Sequence, residues 1–180
     1  MVSETTATKT ESVRVWDPLV RVIHWGLAVA FAVAYLTAES AEAVHLFAGY
    51  MISGVVLIRL LWGVVGPRHA RFSDFIFRPS AVLKYLRGLL TGRARRMLGH
   101  SPAGGALVIA LMVTCGTGIA MGFGAAGGVF EAVHEFASAA TLALVLAHIA
   151  GVLFGIFVHR ENLPLAMITG RKRPLQEARY

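Results

Sequence analysis

Four long apolar blocks dominate this chain, and each is close to the ~20 residues that an α-helix needs to cross the hydrocarbon core of a bilayer. They run from about Leu19 to Leu36, Val44 to Val65, Gly104 to Phe123 and Phe136 to Val158. The third is the cleanest, because no residue from Ser101 to Phe130 is charged. Any single block could be the buried helix of a soluble protein. Four of them in 180 residues leave too little polar chain to cover them, since only 15% of the residues are charged against roughly 25% in soluble domains. The expected fold is all-α: an integral membrane four-helix bundle filling one domain, residues 13–173. Residues 1–12, rich in Thr and Ser, are expected to be disordered, and 174–180 form a C-terminal tail. The polar start, Met1 to Ser12, lacks the basic-then-apolar pattern of a cleavable signal peptide.

Charge sets the orientation. The Gly66–His100 connection holds Arg68, Arg71, Arg78, Lys84, Arg87, Arg93, Arg95 and Arg96 against a single acid, Asp74. Lys9, Arg14 and Arg21 precede or open the first block, and Arg160, Arg171, Lys172 and Arg173 follow the last. The other two connections carry Glu39, Glu42, Glu131 and Glu135 and no Lys or Arg. Both termini and the long basic connection are therefore expected in the cytoplasm. The positive-inside rule accounts for the basic charge, so no nucleic-acid partner is inferred. Within that connection Pro79 predicts a short amphipathic helix over Ser80–Leu90, lying on the inner membrane surface; a plain solvated loop is the alternative.

Ionisable groups within a bilayer are costly, so each needs a reason. His69, His100 and His159 lie at or beyond the basic ends of spans and are expected to be solvated or interfacial. His24, His45, His134 and His148 differ. His24 lies within the first span, at a depth from the acidic end like that of His148 in the fourth. His45 and His134 both lie near the acidic ends of their spans. His134 and His148 are separated by fourteen residues, about 40° short of four helical turns and roughly 21 Å along the axis. The four therefore form two transverse pairs, one above the other. Zinc suits such pairs poorly, because two ligands per level are too few. A proton relay would tolerate histidines there but would not require matched depths. Six-coordinate haem b does require them, with one neutral imidazole on each axial face. Two non-covalent haems b are expected, ligated by His24 with His148 on the cytoplasmic side and by His45 with His134 on the periplasmic side.

Other residues bear on this reading. The single cysteine, Cys115, excludes a disulfide framework, a cysteine-ligated zinc site and an iron–sulfur cluster within one chain, and no Cys-x-x-Cys-His is present for a c-type haem. Arg59 lies fourteen residues beyond His45, on nearly the same face and one layer deeper, where it could meet a haem propionate or snorkel to the inner surface. Arg14 and Arg21 are weaker candidates for that contact. Gly49, Ser53, Gly116 and Gly118 could admit a flat macrocycle, or could equally serve ordinary helix packing.

Short segments in order carry a resemblance: Trp16-Asp17-Pro18, Arg21-Val22-Ile23-His24-Trp25, His45-Leu46-Phe47-Ala48-Gly49-Tyr50, Arg59-Leu60-Leu61-Trp62-Gly63, His69-Ala70-Arg71-Phe72, Gly99-His100-Ser101-Pro102, His134, His148-Ile149, His159-Arg160-Glu161-Asn162 and Met167-Ile168-Thr169-Gly170. Over about Val13 to Arg173 the chain resembles the bacterial cytochrome b561 and hydrogenase-type cytochrome b superfamily. The resemblance implies a four-helix core with two b-type haems held by the same histidine pairs. It also implies quinone chemistry and exchange of electrons with a redox partner. The expected function is transmembrane electron transfer between the membrane quinone pool and a partner such as a periplasmic c-type cytochrome or oxidoreductase, in the bacterial inner membrane. A second copy of the chain is a candidate partner. Tyr50, Ser53, His69 and His159 are candidate quinone contacts. The alternatives are a self-contained superoxide:quinone oxidoreductase, which the acidic outer connections oppose, a membrane-anchor subunit of a hydrogenase-like complex, and an anchor that binds no haem.

Overall fold

The computed structural model describes residues 12–124 and 127–174; most of the segment expected to be disordered, and residues 175–180 of the tail, lie outside them. Among the described residues, four helices are long and apolar enough to cross a membrane. They are α1 (Pro18–Thr37), α2 (Glu42–Val65), α4 (Pro102–Gly122) and α5 (Val129–His159). Between α2 and α4 the chain makes a 3-10 turn at Phe72–Asp74 and the helix α3 (Pro79–Leu90), and after α5 comes the short α6 (Leu163–Thr169).

Local chemistry explains where these helices begin. Asp17 caps α1 by accepting a hydrogen bond from the Val20 amide at 3.1 Å, with Pro18 in the first turn. Ser101 caps α4 through the Gly104 amide at 3.1 Å, followed by Pro102. Asn162 caps α6 through the Leu165 amide at 2.9 Å, with Pro164 in its first turn. Each pairing supplies an acceptor for an orphan amide and a proline whose missing N–H costs nothing there. All three starts lie at the basic end of the bundle.

α5 departs from expectation. It begins at Val129, seven residues before the predicted Phe136, where Gly127 and Gly128 turn the chain with φ of 93° and 69°. The apolar run alone sets the boundary too late, because Glu131, His134 and Glu135 are polar but helical. The helix has 31 residues, about 46 Å at ~1.5 Å each, which exceeds the ~30 Å hydrocarbon core and carries its first turns beyond it.

The all-α expectation holds apart from a two-stranded antiparallel ribbon. β1 (Val13–Arg14) pairs with β2 (Arg171–Lys172), Val13 opposite Lys172 and Arg14 opposite Arg171. The ribbon clips the start of the domain to its end. α3 forms as predicted, and its Val82, Leu83 and Leu86 line an apolar cleft with Gly105, Ala106 and Ile109 of α4.

α1 packs along α2, and α4 packs along α5, as two helical hairpins that touch each other sparsely. In the first hairpin Ala34 and Ala48 let the helices approach, beside Ile52 and Val56. In the second, the Thr114 and Thr141 hydroxyls meet at 2.9 Å. The outer faces are apolar and bare, with Leu36, Leu61, Phe136 and Phe157 each more than two-thirds exposed. Water would penalise that surface and lipid does not, so the chain is a helical membrane protein.

Candidate functional site

The structure brings all four matched-depth histidines together, in the expected pairs and across the gap between the hairpins. His24 of α1 faces His148 of α5 with ring centroids 6.1 Å apart and planes at 61°. His45 of α2 faces His134 of α5, also at 6.1 Å, with planes at 79°. Each pair joins one hairpin to the other. A metal ion about 2 Å from the near nitrogen of each ring, with that nitrogen about 1.1 Å from its ring centre, needs centroids roughly 6 Å apart. Both pairs fit that demand. Among the described residues no group of three or more His, Cys, Asp or Glu is gathered as a multi-ligand metal centre requires.

The pair near the acidic end also has fixed tautomers. His45 Nδ1 lies 2.8 Å from the Ala34 carbonyl, and His134 Nδ1 lies 2.7 Å from the Gly118 carbonyl. A carbonyl only accepts, so Nδ1 carries the proton in each ring and Nε2 keeps its lone pair. That is the arrangement in which a histidine can bind a metal with its orientation held from behind. The bond to Gly118 crosses from α4 to α5 where the helices are closest, and a Cβ on Gly118 would stand 3.7 Å from that of Ala137. Gly118 is thus a packing glycine, whereas Gly49 and Gly116 face open space. Ser53 returns its hydroxyl to the Gly49 carbonyl at 2.7 Å.

A compact cap closes the basic end, beneath His24 and His148. It is built from β1, the 66–101 connection, α6 and β2. Trp16, Val15, Val20 and Ala70 form its buried core. Trp62 Nε1 donates to Asp17 Oδ2 at 3.3 Å, which ties α2 to the start of α1. Phe75 is 1% exposed and stacks on His100, with centroids 4.5 Å apart. Its carbonyl lies where a Cβ on Gly105 would stand, so only glycine fits there. Arg96 grips Glu161 in two bonds, Nε to Oε2 at 3.1 Å and Nη2 to Oε1 at 2.5 Å.

Arg59 is buried rather than extended to the surface. Its Nη1 donates to the Ala70 carbonyl at 3.1 Å, and its guanidinium carbon lies 5.1 Å from the Phe72 ring centre and 5.7 Å from that of Phe75. Arg21 Nη1 donates to the Ile168 carbonyl of α6, and its sealed Nε has no partner among the described residues. Arg14 is exposed in β1. Tyr50 is exposed beside Phe123, His69 sits in the cap connection with a φ of 71°, and His159 ends α5.

His100 corrects the expectation of a solvated histidine. Its ring packs against Trp16, with centroids 4.8 Å apart, and against Phe75, and its sealed Nδ1 has no hydrogen-bond partner among the described residues. Burial, followed by the positive charges of Arg59 and Lys172 and the nearby His69 and His148, pushes it down to about 3, so the ring is neutral. His69 is also shifted down, by burial and then by Arg68. Burial lowers Lys172 despite the opposing pull of Glu161.

A family model described as prokaryotic cytochrome b561 matches residues 15–170. No curated protein and no solved structure matches the chain.

Proposed function

Since the chain belongs to the prokaryotic cytochrome b561 family, whose work is electron transfer across membranes through b-type haem, we propose that it carries electrons through two haems b, one between His24 and His148 and one between His45 and His134. One observation carries the reading: two histidine pairs bridge the hairpins with the same 6.1 Å separation. Haem b supplies a reversible one-electron couple when bound.

The chain's own residues do the rest. Each imidazole pair would hold one haem through two ring nitrogens, which suits electron transfer better than binding of oxygen or another small ligand. The Ala34 and Gly118 carbonyls hold His45 and His134 in the ligating tautomer. The sparse packing between hairpins leaves room for flat macrocycles, and the open space at Gly49 and Gly116 adds to it. His134 and His148 share one helix roughly 21 Å apart along its axis. α5 therefore sets the separation of the two centres on a rigid rod.

We place the cap, both termini and the 66–101 connection in the cytoplasm, and the Glu39–Glu42 and Glu131–Glu135 ends in the periplasm, on the charge asymmetry of the connections. The bacterial inner membrane is then the site. Quinone is the membrane-borne redox partner and a periplasmic oxidoreductase or c-type cytochrome the soluble one. The four glutamates at the outer end favour a cationic partner surface over an anion such as superoxide.

The test is a pyridine haemochrome assay on the detergent-purified chain, with haem counted per polypeptide. Two non-covalent haems b are expected. His148→Ala should lose the inner haem and keep the outer one. Retention of both in that variant would overturn the pairing, and a colourless wild-type protein, expressed with adequate haem, would overturn the function.

A further inference from the structure

Among the described residues, the cap holds more positive charge than its carboxylates neutralise. Arg59 is 6% exposed and Lys172 is 8% exposed, and among the described residues neither has a carboxylate within 4 Å. The nearby acids are engaged elsewhere. Glu161 is bound twice by Arg96, and Asp17 accepts from the Val20 amide and from Trp62. Aromatic faces supply part of the balance: Lys172 Nζ lies 5.5 Å from the Trp16 ring centre, and Arg59 faces Phe72 and Phe75. Such contacts offset only part of the cost of burying an unpaired ion. Between the two cations lies His100, whose sealed Nδ1 has no hydrogen-bond partner among the described residues. Two buried cations and an orphan hydrogen-bonding nitrogen describe a site for a dianion.

We propose that Arg59, His100 and Lys172 form an anion site that holds the two propionates of the haem bound between His24 and His148. The inference rests on the di-haem reading above and extends it to residues outside the histidine pairs. Position favours the haem over a free anion. His24 lies six residues into α1 from its start at Pro18 beside the cap, about 9 Å along the axis, so the site adjoins the inner pair, and one porphyrin carries two carboxylates to meet two cations. Neutral His100 donates from Nδ1 to a carboxylate and then needs no solvent partner. A cap so engaged ties the β1–β2 ribbon to the cofactor through Lys172.

The experiment titrates the haem-free chain in detergent with haem b and with its dimethyl ester, in which both propionates are blocked. The outer pair should take both alike. The inner pair should bind the ester more than about tenfold more weakly. In Lys172→Gln and in Arg59→Gln that ratio should fall toward one. A ratio near one in the wild type, or one that the substitutions leave unchanged, overturns the proposal, and the wild-type ratio decides the matter if a variant does not fold. Inorganic phosphate offered to the haem-free chain separates the sources of anion. Stabilisation by phosphate, together with equal binding of haem and ester, would mean a free-anion site and overturn the propionate assignment. No binding of either haem would overturn the di-haem reading itself and this site with it. In the loaded protein, Lys172→Gln should lower the inner haem's potential, because the lost positive charge no longer favours the added electron, and leave the outer one unchanged.

Discussion

Glu161→Gln offers a direct measure of how firmly the cap is closed. The carboxylate is 5% exposed and accepts three hydrogen bonds: Arg96 Nε at 3.1 Å, Arg96 Nη2 at 2.5 Å and the Arg173 amide at 3.3 Å. Removing one partner of a buried ion pair costs about 3–5 kcal/mol. The Arg96 side chain is 21% exposed and keeps the Arg173 and Pro174 carbonyls as acceptors, which puts the expected loss at the lower end, about 3 kcal/mol. Reversible unfolding in mixed detergent, followed by circular dichroism, measures it. The double variant Glu161→Leu with Arg96→Met should recover part of the loss, because it leaves no orphan charge. The pH dependence adds a second check. Burial acts to raise the Glu161 carboxyl, but the Arg96 hydrogen bonds and the charges of Lys172 and Arg96 outweigh it and hold the group below the ordinary glutamate range. A depressed carboxyl stabilises the fold above its unfolded value and loses that contribution as pH falls through the folded one. The wild type should therefore lose its advantage over Glu161→Gln on acidification below the ordinary glutamate range. A loss smaller than about 1 kcal/mol at neutral pH, or a difference independent of acid, would refute the assignment of Glu161 as the clamp.

Two further substitutions probe close approaches. Gly122→Ala would place a Cβ 3.1 Å from His134 Nδ1 and 3.2 Å from its Cε1. The ring must then shift against its 2.7 Å bond to Gly118, so affinity for the outer haem should fall about 10–100-fold while the inner haem is unaffected, as read by spectral titration. Gly105→Ala would drive a Cβ into the Phe75 carbonyl. It should destabilise the α4–cap junction by about 1–3 kcal/mol in the same unfolding assay, with both haem sites spectrally intact.

Features encoded within a few residues of chain were the legible ones. The four spans and the α3 helix follow from apolar runs and Pro79, whereas the capped starts at Pro18 and Pro102 lie one and two residues before the expected Leu19 and Gly104. The histidine pairs were also legible, because depth along a membrane span converts sequence number into height, and α5 carries one member of each pair. The cap was not. The packing of Trp16 against His100, the reach of Arg96 to Glu161 and the turn of Arg59 toward Phe72 and Phe75 join residues from distant stretches of chain. No periodicity reports such contacts. His100 reads as a polar residue at a span's end until Trp16 and Phe75 are seen to close over it. The early start of α5 was missed for a related reason: its first turns carry acids that hydropathy assigns to a loop.

Weak contact between the two helical hairpins has a consequence for how this protein could be taken apart. The polypeptide between α3 and α4 is irregular from Arg93 to Ser101. A protease cut or an engineered break near Arg95 would separate α1–α2–α3 from α4–α5–α6, two pieces that each keep one tightly packed pair of spanning helices. The spans of the two pieces touch little, but the cap still joins them through the β1–β2 ribbon and the α3–α4 cleft, so a ligand bound across the gap adds to that adhesion in proportion to its concentration by mass action. On the di-haem reading, cofactor supply would then set how tightly the spanning halves of a nicked protein close, while the cap keeps them tethered.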